Sequence, residues 1–186
     1  MECAQVPELC GLCAQLAPAQ EIPRVIVFAG YSRLGVDRQV SSYTRFNGWN
    51  AGMTTNLRSH LGTDVDLSVH YVRVPDIPEY VFHRRGIYTF LAGPSLFTVI
   101  PKFSRGTISS HIKAGFRKQW DSGSVFCMAA GGGFDLRISN SFGLRLVQAD
   151  YLPVFFPEYV VSEGFRSRVA NQFRLSSGLV FGLGRL

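Results

Sequence analysis

The sequence predicts an all-β chain, a single eight-stranded antiparallel up-and-down transmembrane β-barrel. Three observations predict it. Large apolar residues alternate with small or charged ones at a period of two along most of the chain, and helical periodicity is scarce. The 186 residues include 15 Phe, 7 Tyr and 19 Gly, a composition suited to closely approaching strands. No stretch approaches the ~18 consecutive apolar residues that a membrane-crossing helix requires, so any crossing must use strands.

Eight strands are expected at roughly 23–32, 46–57, 63–72, 86–97, 107–117, 124–137, 142–152 and 168–184. Successive side chains of a strand point to opposite faces. In the third strand Val65, Leu67, Val69 and Tyr71 share one face, and Asp64, Asp66, Ser68 and His70 share the other. In the second, Trp49, Ala51, Met53, Thr55 and Leu57 oppose Gly48, Asn50, Gly52, Thr54 and Asn56. In the sixth, Phe126, Met128, Ala130, Phe134 and Leu136 oppose Ala129, Gly131, Gly133, Asp135 and Arg137. In the last, Phe173, Leu175, Leu179, Phe181 and Leu183 oppose Gln172, Arg174, Ser176, Gly178 and Gly182.

Two strands are less regular. The first turns Val25, Val27, Ala29 and Tyr31 outward but carries Ile26 and Phe28 on its other face. In the seventh the phase clashes at Gln148 and Asp150, and a β-bulge near Val147 to Ala149 would turn both inward and Tyr151 outward. The links at 33–45, 73–85 and 153–167 read as long and those at 58–62 and 138–141 as short. That partial alternation suits a barrel with long loops at one end and tight turns at the other. The link at 98–106 is longer, and that at 118–123 shorter, than the alternation asks.

Alternation alone does not say which face looks inward. A soluble lipocalin-like barrel lines its interior with the apolar face, and a membrane barrel exchanges the two. Here the polar face is rich in Gly, Ser, Ala, Asn and Thr, dotted with Asp66, Lys113, Asp135, Arg137, Arg145 and Arg174. The long Lys and Glu side chains of a wetted surface are few. An eight-stranded barrel has room only for side chains to fill it, so this face is read as a packed interior. Charges so buried must be paired. Asp66, Ser68, His70, Asp135, Arg137, Arg145 and Arg174 are therefore expected to form an interior polar network, the two aspartates pairing with some of the arginines.

The net charge of +6 comes from scattered arginines, with no basic cluster interleaved with aromatics, which argues against a nucleic-acid partner. Cys10-Gly11-Leu12-Cys13 has CxxC spacing, but no second pair accompanies it. Residues 1–22 read as a leader or a disordered N-terminal segment ahead of a barrel domain at 23–186. Ala17-Pro18-Ala19 has the form of a signal-peptidase site, yet residues 1–16 lack Lys and Arg.

Candidate chemistry is thin. Gly131-Gly132-Gly133 is followed by neither Lys-Ser/Thr nor a helix, so it is not a phosphate loop and instead allows close approach. His60, His70, His83 and His111 show no metal-ligand spacing. No catalytic, cofactor-binding or metal-binding residue is assigned. The runner-up reading is a membrane-embedded lipid-modifying hydrolase or acyltransferase using Asp66, Ser68 and His70 on one strand face. A surface-binding barrel is the third, with Arg33, Arg38, Arg45, Arg73, Arg84, Arg85 and Arg166 in the long links available to lipopolysaccharide phosphates.

The octet Ser176-Ser177-Gly178-Leu179-Val180-Phe181-Gly182-Leu183 has the form polar-x-Gly-x-x-aromatic-x-hydrophobic. It resembles the C-terminal assembly signal of outer-membrane barrels, with Ser176, Gly178, Phe181 and Leu183 at the signal positions, although here it lies internal by three residues. Val27 to Ser32, Gly48 to Gly52, Gly131 to Asp135, Gln148 to Tyr151 and Arg174 to Ser176 give the chain from about residue 24 onward a broader likeness. It is similar to the OmpA-like and opacity-type eight-stranded barrels. The resemblance implies a monomeric barrel in the cell outer membrane, among lipid and lipopolysaccharide. It further implies recognition by the barrel-insertion machinery, and neither enzyme chemistry nor a cofactor.

Overall fold

The computed structural model describes residues 23–36, 45–58, 60–72, 85–100, 103–119, 123–162 and 165–184. Eight strands follow one another in chain order: β1 Val25–Val36, β2 Arg45–Arg58, β3 Leu61–Val72, β4 Arg85–Ile100, β5 Phe103–Gln119, β6 Ser124–Arg137, β7 Phe142–Ser162 and β8 Phe165–Leu183. Each pairs antiparallel with its neighbour, and β8 returns to β1 to close the barrel. Closure removes both sheet edges. The expected fold class is the observed one. The expected leader at residues 1–22 lies outside the described residues.

The period-two pattern now has a direction. Large apolar residues including Tyr31, Trp49, Met53, Leu67, Phe90, Ile112, Phe116, Phe173 and Leu179 point outward, with exposures between 38% and 64% for the outward set. Inward positions hold Ser32, Asn50, Asp66, His70, Lys113, Gln148, Asp150 and Arg174, all buried. On the same face Tyr31 donates to Asn47 Oδ1 (2.8 Å) and Tyr151 to Asn171 Oδ1 (2.6 Å). Tilted ring pairs lie along that face, with the centroids of Phe142 and Phe181 5.3 Å apart and those of Tyr151 and Phe173 also 5.3 Å apart.

Two links differ from the sequence reading. Residues 153–167 are not a long loop, because β7 runs to Ser162 and β8 starts at Phe165. Among the described residues β7 has no β6 partner beyond Phe155, so Pro157 removes no ladder bond on that side. The link at 98–106 shrinks to residues 101–102, which restores short turns at that end of the barrel. Between Arg145 and Gln148 the register slips against β8, leaving Leu146 and Val147 both outward. This bulge lies just ahead of the expected place, and it turns Gln148 and Asp150 inward and Tyr151 outward, as the pattern required.

The interior is divided. Its loop-end half is apolar: Leu34, Val36, Phe46 and Ile87 are buried there, and Leu91, Cys127, Ala129, Leu152, Val154 and Ala170 form one cluster. The charged side chains gather between this plug and the turn end.

Candidate functional site in the barrel interior

The site begins with Arg174, which is fully buried on β8. Its Nε donates to Asp150 Oδ2 at 2.8 Å, and Nη1 donates to Asp66 Oδ1 and to Ser68 Oγ at 3.1 Å. Asp150 also accepts from His111 Nε2 at 2.7 Å and from Gln148 Nε2 at 2.9 Å. Asp66 is shared with Lys113, whose ammonium lies 3.8 Å from it and 2.8 Å from Asp64. Side chains of β3 and β7 thus meet the one guanidinium from β8, β5 joins them through the carboxylates, and every carboxylate that reaches this centre has a cation beside it.

Toward the turn end the chain continues. Arg145 grips Asp135 with two parallel bonds of 2.7 and 2.9 Å, a bidentate fork, and donates to Gln148 Oε1 at 2.7 Å. Its guanidinium carbon lies 4.5 Å from the centroid of the inward Phe28 ring, a cation–π contact. Two small cavities of about 50 and 60 Å³ open here, lined in part by Thr54, Asp64, Ser95, His111, Asp135 and Arg137. Each is large enough for a few waters and too small for a bulky substrate.

Toward the plug a neutral branch begins. Ser176 Oγ donates to Ser32 Oγ at 3.1 Å, and Ser32 Oγ lies 2.9 Å from His70 Nε2. Glycine makes room for the centre at one position. A Cβ on Gly131 would meet the Asp150 carboxylate and lie 2.9 Å from the Asp150 Cα, so a side chain there would displace the group that anchors Arg174, His111 and Gln148.

The structure brings Asp66, Ser68 and Arg174 into one cluster, and joins Asp135 and Arg145 to it through Gln148. Asp66 pairs with Arg174 and Asp135 with Arg145. His70 stands on the serine branch, and Arg137 sits half-buried at the turn-end mouth. Sequence reasoning left Asp64, His111, Lys113, Gln148 and Asp150 out of the network. Their inward phase was visible, in Lys113 and in the bulge, but which of them meet depends on side chains reaching across the barrel. The three candidate catalytic residues do not form a triad with one another. Ser68 receives from Arg174, Asp66 is held by Arg174, and His70 is bonded to Ser32. Among the described residues no three His, Cys, Asp or Glu side chains group as a metal site. In the octet, Ser176 is buried inward while Phe181 and Leu183 face outward.

No family model and no curated protein matches the chain. Solved structures do. The outer membrane protein OprG from Pseudomonas aeruginosa aligns with a TM-score of 0.58 at 8% identity, over 89% of this chain and 98% of that one. Neisserial surface protein A aligns at 0.55 and 14% identity, over 86% and 97%. Ail, the attachment invasion locus protein of Yersinia pestis, aligns at 0.51 and 16% identity, over 86% and 99%. At these identities the likeness is one of fold, and it matches the resemblance read from the sequence at the level of the outer-membrane eight-stranded barrels as a class.

Proposed function

We propose that this chain, a barrel with the fold of the eight-stranded outer-membrane proteins, resides in the cell outer membrane. There it has a structural or surface-interaction role, with a filled polar interior in place of a wide pore. One observation carries the reading: the large apolar side chains face out around the barrel while Asp66, Asp135, Asp150, Arg145 and Arg174 face in and pair. In water that arrangement would expose a continuous apolar surface far beyond what a soluble monomer tolerates, whereas lipid accepts it. A lipocalin-like barrel requires the opposite arrangement. Membrane fractionation followed by electrophoresis with and without boiling tests the proposal. The expected result is a fast-migrating folded form in the outer-membrane fraction that slows on heating. A compact, sheet-rich species in the soluble fraction would overturn it.

The surface role is supported at the loop-end rim. Arg33 and Arg45 are exposed on adjacent strands, Arg33 opposite Asn47 and Arg45 opposite Gly35, just beyond the outward Tyr31 and Trp49. Guanidinium groups at the edge of an apolar band suit lipid or lipopolysaccharide phosphates. Replacing both with Gln should reduce co-purifying lipopolysaccharide and its sensitivity to salt; unchanged retention would remove this role. The octet ending at Leu183 supports recognition of a monomer by the insertion machinery. The enzyme alternative is tested by His70→Ala, for which unchanged lipid turnover in membranes is expected.

A further inference from the structure

Among the described residues the charge pairing of the interior stops short of Arg117. Arg117 projects inward from β5 and is only 4% exposed. It makes no ion pair with any of Asp64, Asp66, Asp135 or Asp150, all of which are held by Lys113, Arg145, Arg174 or His111. Its Nη1 has no hydrogen-bond partner among the described residues. An uncompensated guanidinium in so dry a place is costly.

A second donor stands in the same position. His70, 1% exposed, projects inward from β3. Ser32 Oγ accepts from Ser176 and can give its own proton to His70 Nε2, and in that arrangement the ring proton lies on Nδ1. That Nδ1 also has no partner. The two residues flank β4: His70 is in register with Ile87 and Arg117 with Thr89, successive inward positions of that strand.

We propose that Arg117 and His70 bind a small monovalent anion, of halide size, at the boundary between the polar network and the apolar plug. Arg117 supplies the charge and one N–H, His70 Nδ1–H supplies a second donor, and Thr89 lies on the strand between them. The surroundings select the class of ligand. Ile87, Leu91 and Cys127 line this level and are fully buried, so a divalent oxyanion would lose its hydration with too few donors to replace it. A weakly hydrated halide loses less. The anion would neutralise Arg117, which no carboxylate among the described residues meets, and so lock the two halves of the interior together.

The folded barrel in detergent tests this. Thermal unfolding should occur at a higher midpoint in sodium chloride or bromide than in sodium gluconate at equal ionic strength. Arg117→Met should abolish the difference, while the exposed Lys118→Met should keep it. If the Arg117 variant fails to fold, the wild-type protein still decides the matter. Crystals grown in bromide should show an anomalous peak between the Arg117 guanidinium and the His70 ring. A midpoint indifferent to the anion, or a water bridging His70 Nδ1 to the unpartnered Asn50 Oδ1 with no bromide peak, would overturn the proposal.

Discussion

Arg174 on β8 lies in register with Asp150 on β7, and their side chains close on each other inside the barrel, with both Nε and Nη2 within 2.8 Å of Asp150 Oδ2. Asp66 from β3 meets the same guanidinium from the far wall. Removing that cation leaves two buried carboxylates facing each other's field. Arg174→Leu is expected to cost about 3–5 kcal/mol, the loss typical of breaking a buried pair from one side. Urea unfolding of the barrel in lipid vesicles measures it. Arg174→Leu combined with Asp150→Leu and Asp66→Leu should cost less than the single change, because neither carboxylate is then left without its cation and Lys113 keeps Asp64.

The outward face carries a depth-dependent penalty. Ile112 stands midway along β5 and is 60% exposed, whereas Leu183 ends β8 at the turn end. Ile112→Arg should cost about 2–4 kcal/mol in a bilayer, and Leu183→Arg about 0–1 kcal/mol, since an Arg near the interface snorkels to the headgroups. Equal costs in vesicles would mean that the outer face does not meet lipid.

Gly131 is the close-approach position. Gly131→Val should push the Asp150 carboxylate away from His111 and destabilise the barrel by about 1–3 kcal/mol through overpacking. Gly123→Val, where a Cβ meets nothing within 4 Å, is the control and should change stability little. Comparing the two heat-modifiability midpoints checks the difference.

The apolar plug should decide conductance. With Leu91 and Leu152 in place, a planar bilayer holding the protein is expected to show no steady current. Changing both to Ser removes apolar volume and gives water a foothold beside the charged half, so small channel-like currents are expected. A bilayer as silent with the double variant as without it would show that the loops or the charged network provide the seal.

Much of this was readable in the chain. Val65, Leu67, Val69 and Tyr71 against Asp64, Asp66, Ser68 and His70 announced both the strand and its two faces, because period two is a local property. The bulge was also legible, since Gln148 and Asp150 share a phase that Arg145 breaks. The partnerships were not. Lys113 with Asp64 and Arg174 with Asp66 reach across the barrel between strands that are not neighbours, and local sequence carries no record of that meeting. The length of β7 escaped for a different reason. Pro157 lies past Phe155, where β7 has no β6 partner and resumes its β8 register only at Val160.

The pairing of β1 with β8 has a consequence in time. Ser32 and Ser176, joined by a hydrogen bond, are 144 residues apart in the chain. Until the final strand has emerged from synthesis, Val25–Val36 has one of its two neighbours and no way to acquire the other. Such far-separated partners make folding slow, and the growing polypeptide must be kept from pairing with strangers meanwhile. The last strand of the barrel to be made is therefore the one that completes the first, and the barrel has no finished part until it closes.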